Sequence, residues 1–457
     1  MKKSGLSFIE ILREQGGEVY EVGGTVRDRL WGRAHKDRDL LVTKLPLAKI
    51  VETLKPLGEV FTVGKSFGVL KFHPHESEGE EYDIALPRRE KSTGVGHRDF
   101  EVDFDPSLPV EIDLSRRDFT INAMALDLKN DKVIDPFGGR DDLAQKLLRT
   151  VSDRAFEEDP LRLLRGVQFA ARFGLTVEAK TFAAMQQQAA LIKTVSAERI
   201  AEEIRKLLTA EKPSQGFILM RDTGLLPGVF PELQENVGVL QGNKFMNDDV
   251  FMHTMRVLDA ARRDVAIPTS GDLELMLAAL YHDVGKVRTR RFLPEKNRVT
   301  FYCHQTVSRK MVEKRFAALK LSTIGVNTPN VASLVEHHMF QTKSFFSDRS
   351  IRRFINKVGP ELILKLVDLR LADNRGGRYP EGIHGVLKLR KRIQTELDNK
   401  SPIGIRDLAV KGSDLMALGI PEGPKIGAIL KSLLEVVLDD PTKNTKEVLL
   451  EIVKSQI

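Results

Sequence analysis

The chain has 457 residues, with 71 Lys and Arg against 64 Asp and Glu for a formal net charge of +7. At roughly 150 residues per domain this is about two to four domains, and 41% hydrophobic with 30% charged residues exclude a disordered or fibrous chain. The charge excess is small for this length, so it points to an anionic partner, nucleic acid first, only in company with motifs. The single cysteine, Cys303, excludes an intramolecular disulfide and a thiolate-based zinc site. The start, MKKSGLSFIEILREQGG, meets Glu10 and Arg13 before any signal-peptide core, and no run of about 18 apolar residues occurs. A cytoplasmic protein with no membrane partner is expected.

Residues 1–150 mix short β-rich runs, Glu18–Val22, Leu40–Val42 and Val69–Phe72, with turns, and read as an α/β region. Lys91 to Val110, with glycines and serine early and Pro106 and Pro109 late, reads as a loop. From about 151 the periodicity is helical, broken at Leu226-Pro227-Gly228 and between Pro268 and Gly271. The expected division is an α/β head over 1–150, a helical neck and body over 151–240, a helical domain carrying histidines over 241–400, and a helical tail over 401–457.

The densest signal is Val22-Gly23-Gly24-Thr25-Val26-Arg27-Asp28, continuing to Asp37-Arg38-Asp39. A strand running into paired glycines lets a ligand approach the backbone and leaves the next helix's N–H groups free for phosphate. In a strand, side chains at i and i+2 share a face, so Asp37 and Asp39 project together. Paired hard oxygen donors beside a phosphate cradle are what magnesium-assisted phosphoryl transfer needs. A glycine pair alone is usually a turn and a D-x-D alone a polar strand edge; their order and spacing supply the specificity.

The stretch GGTVRDRLWGRAHKDRD resembles the polymerase-β type of nucleotidyltransferase, specifically the class II branch that holds CCA-adding tRNA nucleotidyltransferases and bacterial poly(A) polymerases. The resemblance implies a polymerase-β-like α/β head followed by mainly α-helical domains. It implies Gly24 and Arg27 at the incoming triphosphate, Asp37 and Asp39 as ligands of Mg2+, and Asp83 as a third carboxylate on a later strand. Ser115-Arg116-Arg117-Asp118-Phe119-Thr120-Ile121-Asn122 is similar to that family's second motif. It implies Arg117 as a triphosphate contact, and Asp118 and Asn122 as ribose or loop-ordering groups. From the residues alone, this stretch is a basic pair followed by a short amphipathic helix with Asp118 in its first turn.

In Glu158-Asp159-Pro160-Leu161-Arg162, Pro160 suits a first helical position and Asp159 an N-cap. Arg162, Arg165 and Gln168 follow Asp159 at three-residue steps and form a polar stripe. A carboxylate accepts from an exocyclic amine, and a guanidinium donates to a ring nitrogen or carbonyl. Asp159 and Arg162 are therefore suited to accept C and A and to reject U and G, whose carbonyl would face the carboxylate. The segment is similar to the family's E-D-x-x-R templating motif. Arg165 continues the family pattern, whereas Gln168 stands where a further arginine is common.

His253, the pair His282-Asp283 after an apolar helical run, and Asp373 resemble the HD superfamily of metal-dependent phosphohydrolases. The resemblance implies a divalent ion at these four residues, a transition metal by donor chemistry, with His304, His337 or His338 as ligands of a second. The tail is similar to the tail of full-length CCA-adding enzymes, and its glycines ahead of a helix with Lys425 and Lys431 suit RNA phosphates, a C-terminal helical packing unit being the alternative. Together the resemblances imply template-independent addition of CCA to the 3′ end of tRNA from CTP and ATP. Poly(A) or A-only addition is the alternative within that chemistry, and an HD phosphohydrolase with an RNA-binding head or an alarmone synthetase-hydrolase the alternatives outside it.

Overall fold

The computed structural model describes residues 7–33, 38–62, 68–76, 79–92, 100–241, 249–341, 347–377 and 382–455. They fall into two units, Met1–Ala210 with Gln215–Val229, and Glu211–Ser214 with Phe230–Ile457.

The sheet of the first unit begins with β1 (Glu18–Val22), β2 (Arg38–Thr43), β3 (Gly58–Thr62), β4 (Val69–Pro74) and β5 (Tyr82–Ala85). Its central strands β1 and β2 are buried along nearly their whole length, beside strands that alternate, β4 and β5. After a separate hairpin, β6 (Arg88–Ser92) and β7 (Phe100–Phe104), come β8 (Ala125–Asp127) and β9 (Lys132–Ile134). The sheet has seven strands in the order β3-β4-β5-β2-β1-β8-β9. Only β2 and β5 pair in parallel, with Asp39 opposite Asp83. Helix α1 (Ser7–Glu14) is amphipathic and buries Phe8, Ile9 and Leu12. Phe8 meets Phe72 and Tyr82 edge-on at 5.0 and 4.8 Å between centroids, so α1 covers the strands that carry the carboxylates. Helices α2 (Gly24–Leu30), α3 (Leu47–Leu54) and α4 (Val110–Ser115) complete the head.

The loop expected from Lys91 to Val110 is corrected in part. Arg88–Ser92 and Phe100–Phe104 pair antiparallel, Arg88 opposite Phe104 and Ser92 opposite Phe100. Phe100, Val102 and Phe104 alternate with charged residues, a strand period hidden by the glycines before it; residues 93–99 lie outside the described residues.

The neck is helical, with α5 (Gly139–Ala144), α6 (Ala155–Glu158), α7 (Arg162–Phe173), α8 (Ala179–Gln188), α9 (Ala197–Leu208), α10 (Pro213–Asp222) and α11 (Leu226–Val229). Helix α7 buries one flank on Phe119, whose ring meets Phe169 at 5.8 Å, and ends on Gly174 in the left-handed region.

In the second unit, α12 (Pro231–Glu235) precedes α13 (Val250–Arg262), α14 (Leu273–Tyr281), the short α15 (Lys286–Thr289), α16 (His304–Ala318), α17 (Thr328–His337), α18 (Asp348–Val358) and α19 (Ile363–Gly376). Asp249 and Asp272 cap α13 and α14 through Met252 N and Leu275 N. Gly285 lets α15 lie against α16, since a Cβ there would stand 2.4 Å from His304 O. Helices α20 (His384–Asp398), α21 (Gly412–Ala417), α22 (Pro424–Asp439) and α23 (Lys446–Lys454) follow. Leu415, Leu433, Val437 and Leu449 form the core of α21, α22 and α23, and buried Arg352 of α18 donates to Leu438 O and Asp439 O. No described helix is long and apolar enough to cross a membrane.

Phe8→Ala should cost about 3–5 kcal/mol in urea unfolding, because it empties the layer between α1 and the sheet. Phe61→Ala, at a residue 50% exposed, should cost below about 1 kcal/mol.

Candidate functional site

At the end of β1, Gly23 turns the chain with φ 68°, in the left-handed region that glycine tolerates best. A Cβ at Gly23 would lie 2.4 Å from Arg117 Nη1, so the missing side chain is what lets that guanidinium lie against the turn. Arg117 is held by Asp113 Oδ2 at 3.1 Å, and its buried Nε has no hydrogen-bond partner. Gly24 opens α2, and Thr25 Oγ1 accepts from Asp39 N at 3.2 Å, tying the turn to β2.

Parallel partners project to the same face, so Asp39 and Asp83 stand side by side. Asp83 Oδ1 has Lys71 Nζ at 3.4 Å as its ion-pair partner. Two neighbouring carboxylates offer the hard oxygen donors that suit a divalent cation. Asp37 lies outside the described residues.

A buried polar chain leads away from the turn. Arg27 Nη1 donates to Asn122 Oδ1 at 2.7 Å, Asn122 Nδ2 to Asp118 Oδ1 at 3.1 Å, and Arg165 Nε to Asp118 Oδ2 at 2.8 Å. Burial opposes ionisation of Asp118, but the Arg165 charge and the Asn122 hydrogen bond hold its pKa below the usual carboxylate range. Asp118 is not in the first turn of a helix: α4 ends at Ser115 with Arg116 as its C-cap, and the next element is a 3-10 turn, Thr120–Asn122. The carboxylate is spent on Asn122, Arg165 and the N–H of Phe119.

Asp159 is not the N-cap of α7, which begins at Arg162 after a separate turn, α6. Its Oδ1 accepts from Leu161 N at 3.1 Å, the Asx turn that Pro160 permits. Both oxygens are gripped by Arg199 of α9, at 3.2 and 2.8 Å. Arg199 is the residue that sequence reasoning missed; 40 positions downstream, it carries no local signal. Arg162 spends three donors on Ala155 O, Glu158 Oε2 and Arg116 O. Gln168 is buried and accepts from Arg172 Nη1 at 3.1 Å. The structure thus gathers Arg27, Arg117, Asp118, Asn122 and Arg165 into one connected wall, while Asp159 and Arg162 have separate partners.

In the second unit, four histidines converge on two carboxylates. Each ring donates Nδ1–H to a carbonyl: His253 to Gly376 at 3.2 Å, His282 to Ala279 at 2.8 Å, His304 to Phe301 at 2.8 Å and His338 to Val335 at 2.7 Å. A carbonyl only accepts, so these bonds leave Nε2 of the neutral ring with its lone pair turned inward. His253, His282 and Asp373 form one set that could hold an ion, and Asp283, His304 and His338 another, the ligand atoms of each lying within 4.8 Å of one another. Asp283 Oδ2 is 3.1 Å from His282 Nε2, and its Oδ1 is 3.2 Å from His304 Nε2, so this carboxylate faces both sets. His337 stands apart, bonded to Ser333 O. Burial works against charge on Asp283, yet His282 and Lys286 hold its pKa well below the usual range. Burial pulls His338 down to about 3.

Asp118→Asn removes the charge opposite Arg165 and should cost about 3 kcal/mol at pH 7. The native pKa of Asp118 is depressed, so its contribution is complete above the unfolded value near 4 and is lost as pH falls through the native value. Urea unfolding of wild type and variant should therefore show a full gap at pH 7 and 5 that begins to close below about pH 4.

The Poly A polymerase head domain family matches residues 19–149. A family described as the probable RNA and SrmB-binding site of polymerase A matches 174–236, and the HD domain family 250–375. A multifunctional CCA protein of Nitrosococcus oceani is 41% identical over 276 residues, 60% of this chain and 64% of that protein. The multifunctional CCA protein of Xanthomonas campestris pv. campestris strain B100 is 34% identical over 437 residues, 91% of this chain and 96% of that protein. Among solved structures, the Bacillus stearothermophilus CCA-adding enzyme in complex with CTP superposes with a TM-score of 0.71 at 25% identity, covering 100% of this chain and 99% of that one. The Thermotoga maritima CCA-adding enzyme complexed with tRNA shares the fold at a TM-score of 0.59 and 23% identity, over 98% of this chain and 94% of that one. With 34% identity to a relative across 91% of its length, this chain belongs to the multifunctional CCA protein family.

Proposed function

We infer that the chain adds C, C and A in turn to the 3′ end of tRNA from CTP and ATP, with no nucleic-acid template. The observation that carries this reading is the register that sets Asp39 beside Asp83, next to a glycine turn walled by Arg117. Asp37 and Asp39, with Asp83, would hold Mg2+, which supplies Lewis-acid stabilisation of the attacking and leaving oxygens. Around Gly24, Arg27, Arg117 and Arg165 neutralise and orient the triphosphate, while Asp118 and Asn122 fix those guanidinium groups at the ribose. The 3′ hydroxyl of the tRNA attacks the α-phosphate in line, the α–β bridging bond breaks, and pyrophosphate leaves.

Base choice rests with Asp159. The Arg199 grip fixes the plane of the carboxylate, and Oδ2, which serves Arg199 alone, keeps a lone pair for cytosine N4 or adenine N6. Arg162 has two of its five N–H donors left for a ring nitrogen or carbonyl. Gln168 acts through the residues it positions.

The HD centre would hold a divalent transition ion at His253, His282, Asp283 and Asp373, with Asp283, His304 and His338 around a second. Imidazole and carboxylate donors with hydrogen-bonded Nδ1 suit such ions and phosphate-ester hydrolysis. The exposed Lys425 and Lys431 of the tail are assigned to the tRNA backbone. The division near 150, 240 and 400, and a cytoplasmic location in keeping with the lone Cys303, belong to the same reading.

The test is incubation of the purified protein with tRNA lacking its terminal trinucleotide. CTP alone should extend the tRNA by C, CTP with ATP should complete CCA, and ATP alone should add nothing to the truncated end. Absence of CMP incorporation overturns the reading, and extension by ATP alone favours A-only addition. Asp39→Asn should lower the rate about 1,000-fold while tRNA affinity, falling steeply with salt, stays within about twofold of wild type.

A further inference from the structure

The polar stripe of α7 runs through Arg162, Arg165 and Gln168, and its third member carries no charge. Arg172 lies one helical turn further on. Helical side chains lean toward the N-terminus, so a long residue at i+4 covers the surface above position i. Arg172 does so, donating Nη1 to Gln168 Oε1 at 3.1 Å. Gln168 is only 1% exposed, which makes it a fixed anchor. The guanidinium of Arg172 is thereby held at the third step of the stripe.

That position joins a crowd of cations. The ring of Phe173 has the Arg27 guanidinium 4.4 Å from its centroid, and those of Arg33 and Arg172 at 5.2 Å each. Arg33 also lies over Trp31 at 4.2 Å, whose ring meets Phe173 at 5.5 Å. Cation–π attraction of about 0.5–2 kcal/mol per pair gives these groups a platform, but it does not remove their mutual repulsion. Two carboxylates bear on the cluster: Asp28, which pairs with Arg27 at 2.8 Å, and Glu203, which Lys206 engages at 2.9 Å. Among the described residues, no carboxylate lies within ion-pair distance of Arg33 or Arg172. Burial and the charge of Arg27 pull the pKa of Arg172 down, as expected for a cation short of an anion. The same Arg27 bonds Asn122 on its other side, in the wall that continues to Arg117 and the glycine turn. Three cations share Asp28 and a Glu203 that Lys206 already engages, and that surplus of charge on the wall calls for a polyanion.

We propose that Arg172 binds the terminal phosphates of the incoming nucleoside triphosphate, supplying from the next turn of α7 the charge that Gln168 lacks. This rests on the reading that Arg27 faces the triphosphate. Phe173 is the platform on which the guanidinium groups gather, and Gln168 is the positioning residue.

The experiment uses the full chain and two probes, inorganic tripolyphosphate and CMP, each titrated as a competitor of CTP during addition to truncated tRNA. Arg172→Ala and Arg172→Gln, the second retaining a hydrogen-bonding partner for Gln168 without the charge, should each weaken tripolyphosphate at least about tenfold. CMP, which has no terminal phosphates, should change less than about twofold. KM for CTP and ATP should rise together while kcat stays within about threefold. Arg172→Lys should fall between the variants and wild type. Tripolyphosphate bound by Arg172→Gln as tightly as by wild type overturns the proposal. So does an equal loss of CMP and tripolyphosphate, which would mark a purely structural role. A wild type that binds tripolyphosphate calorimetrically but adds no nucleotide contradicts the proposed function instead.

Discussion

A carboxylate shut away from water must be paired, and in this chain Asp118 is that carboxylate. Its two oxygens are divided between Asn122 and Arg165, and Asn122 passes the contact on to Arg27. Three pieces of chain far apart in sequence are fixed by this one requirement: the helix after the glycine turn, the 3-10 turn and α7. Removing any member leaves a buried charge or amide without its partner, at a cost of several kcal/mol. The connection is therefore rigid where a site that orients a triphosphate needs rigidity.

The HD centre obeys the same logic with neutral donors. Four carbonyls hold four imidazoles by Nδ1, and the lone pairs are presented inward before any ion arrives. His304 Nε2 and His338 Nε2 face each other at 3.3 Å, close enough for one cation between them to meet both. In both units the buried polar groups are arranged in advance around a place where opposite charge is to come.

Much of this was legible in the sequence, for particular reasons. Gly23-Gly24 with Asp39, Arg116-Arg117 and His282-Asp283 are local patterns whose chemistry is complete within a few residues. The register of Asp83 against Asp39 was legible only as a resemblance, since strand pairing is non-local. The grip of Arg199 on Asp159, the compensation of Gln168 by Arg172 and the choice of His338 over His337 were not legible. The first depends on the packing of α9 against α7. The second depends on which way a long side chain leans, and the third on the roughly 100° between successive residues on a helix. The hairpin within Lys91–Val110 was hidden because turn residues outweighed a short alternating strand. The start of α7 was misplaced because Asp159-Pro160 serves an Asx turn as well as it serves an N-cap.

The central claim is that a protein carboxylate, held in plane by an arginine, replaces a nucleic-acid template in choosing C and A. The direct measurement is the ratio of CMP to UMP incorporation into truncated tRNA by wild type and by Asp159→Asn. An amide at this position donates as well as accepts, so it can meet the carbonyl of uracil that the carboxylate repels. The ratio should fall by at least about tenfold in the variant, with stability lowered by no more than about 1 kcal/mol through the weakened Arg199 pair. A variant that keeps the wild-type ratio while losing rate uniformly would contradict it.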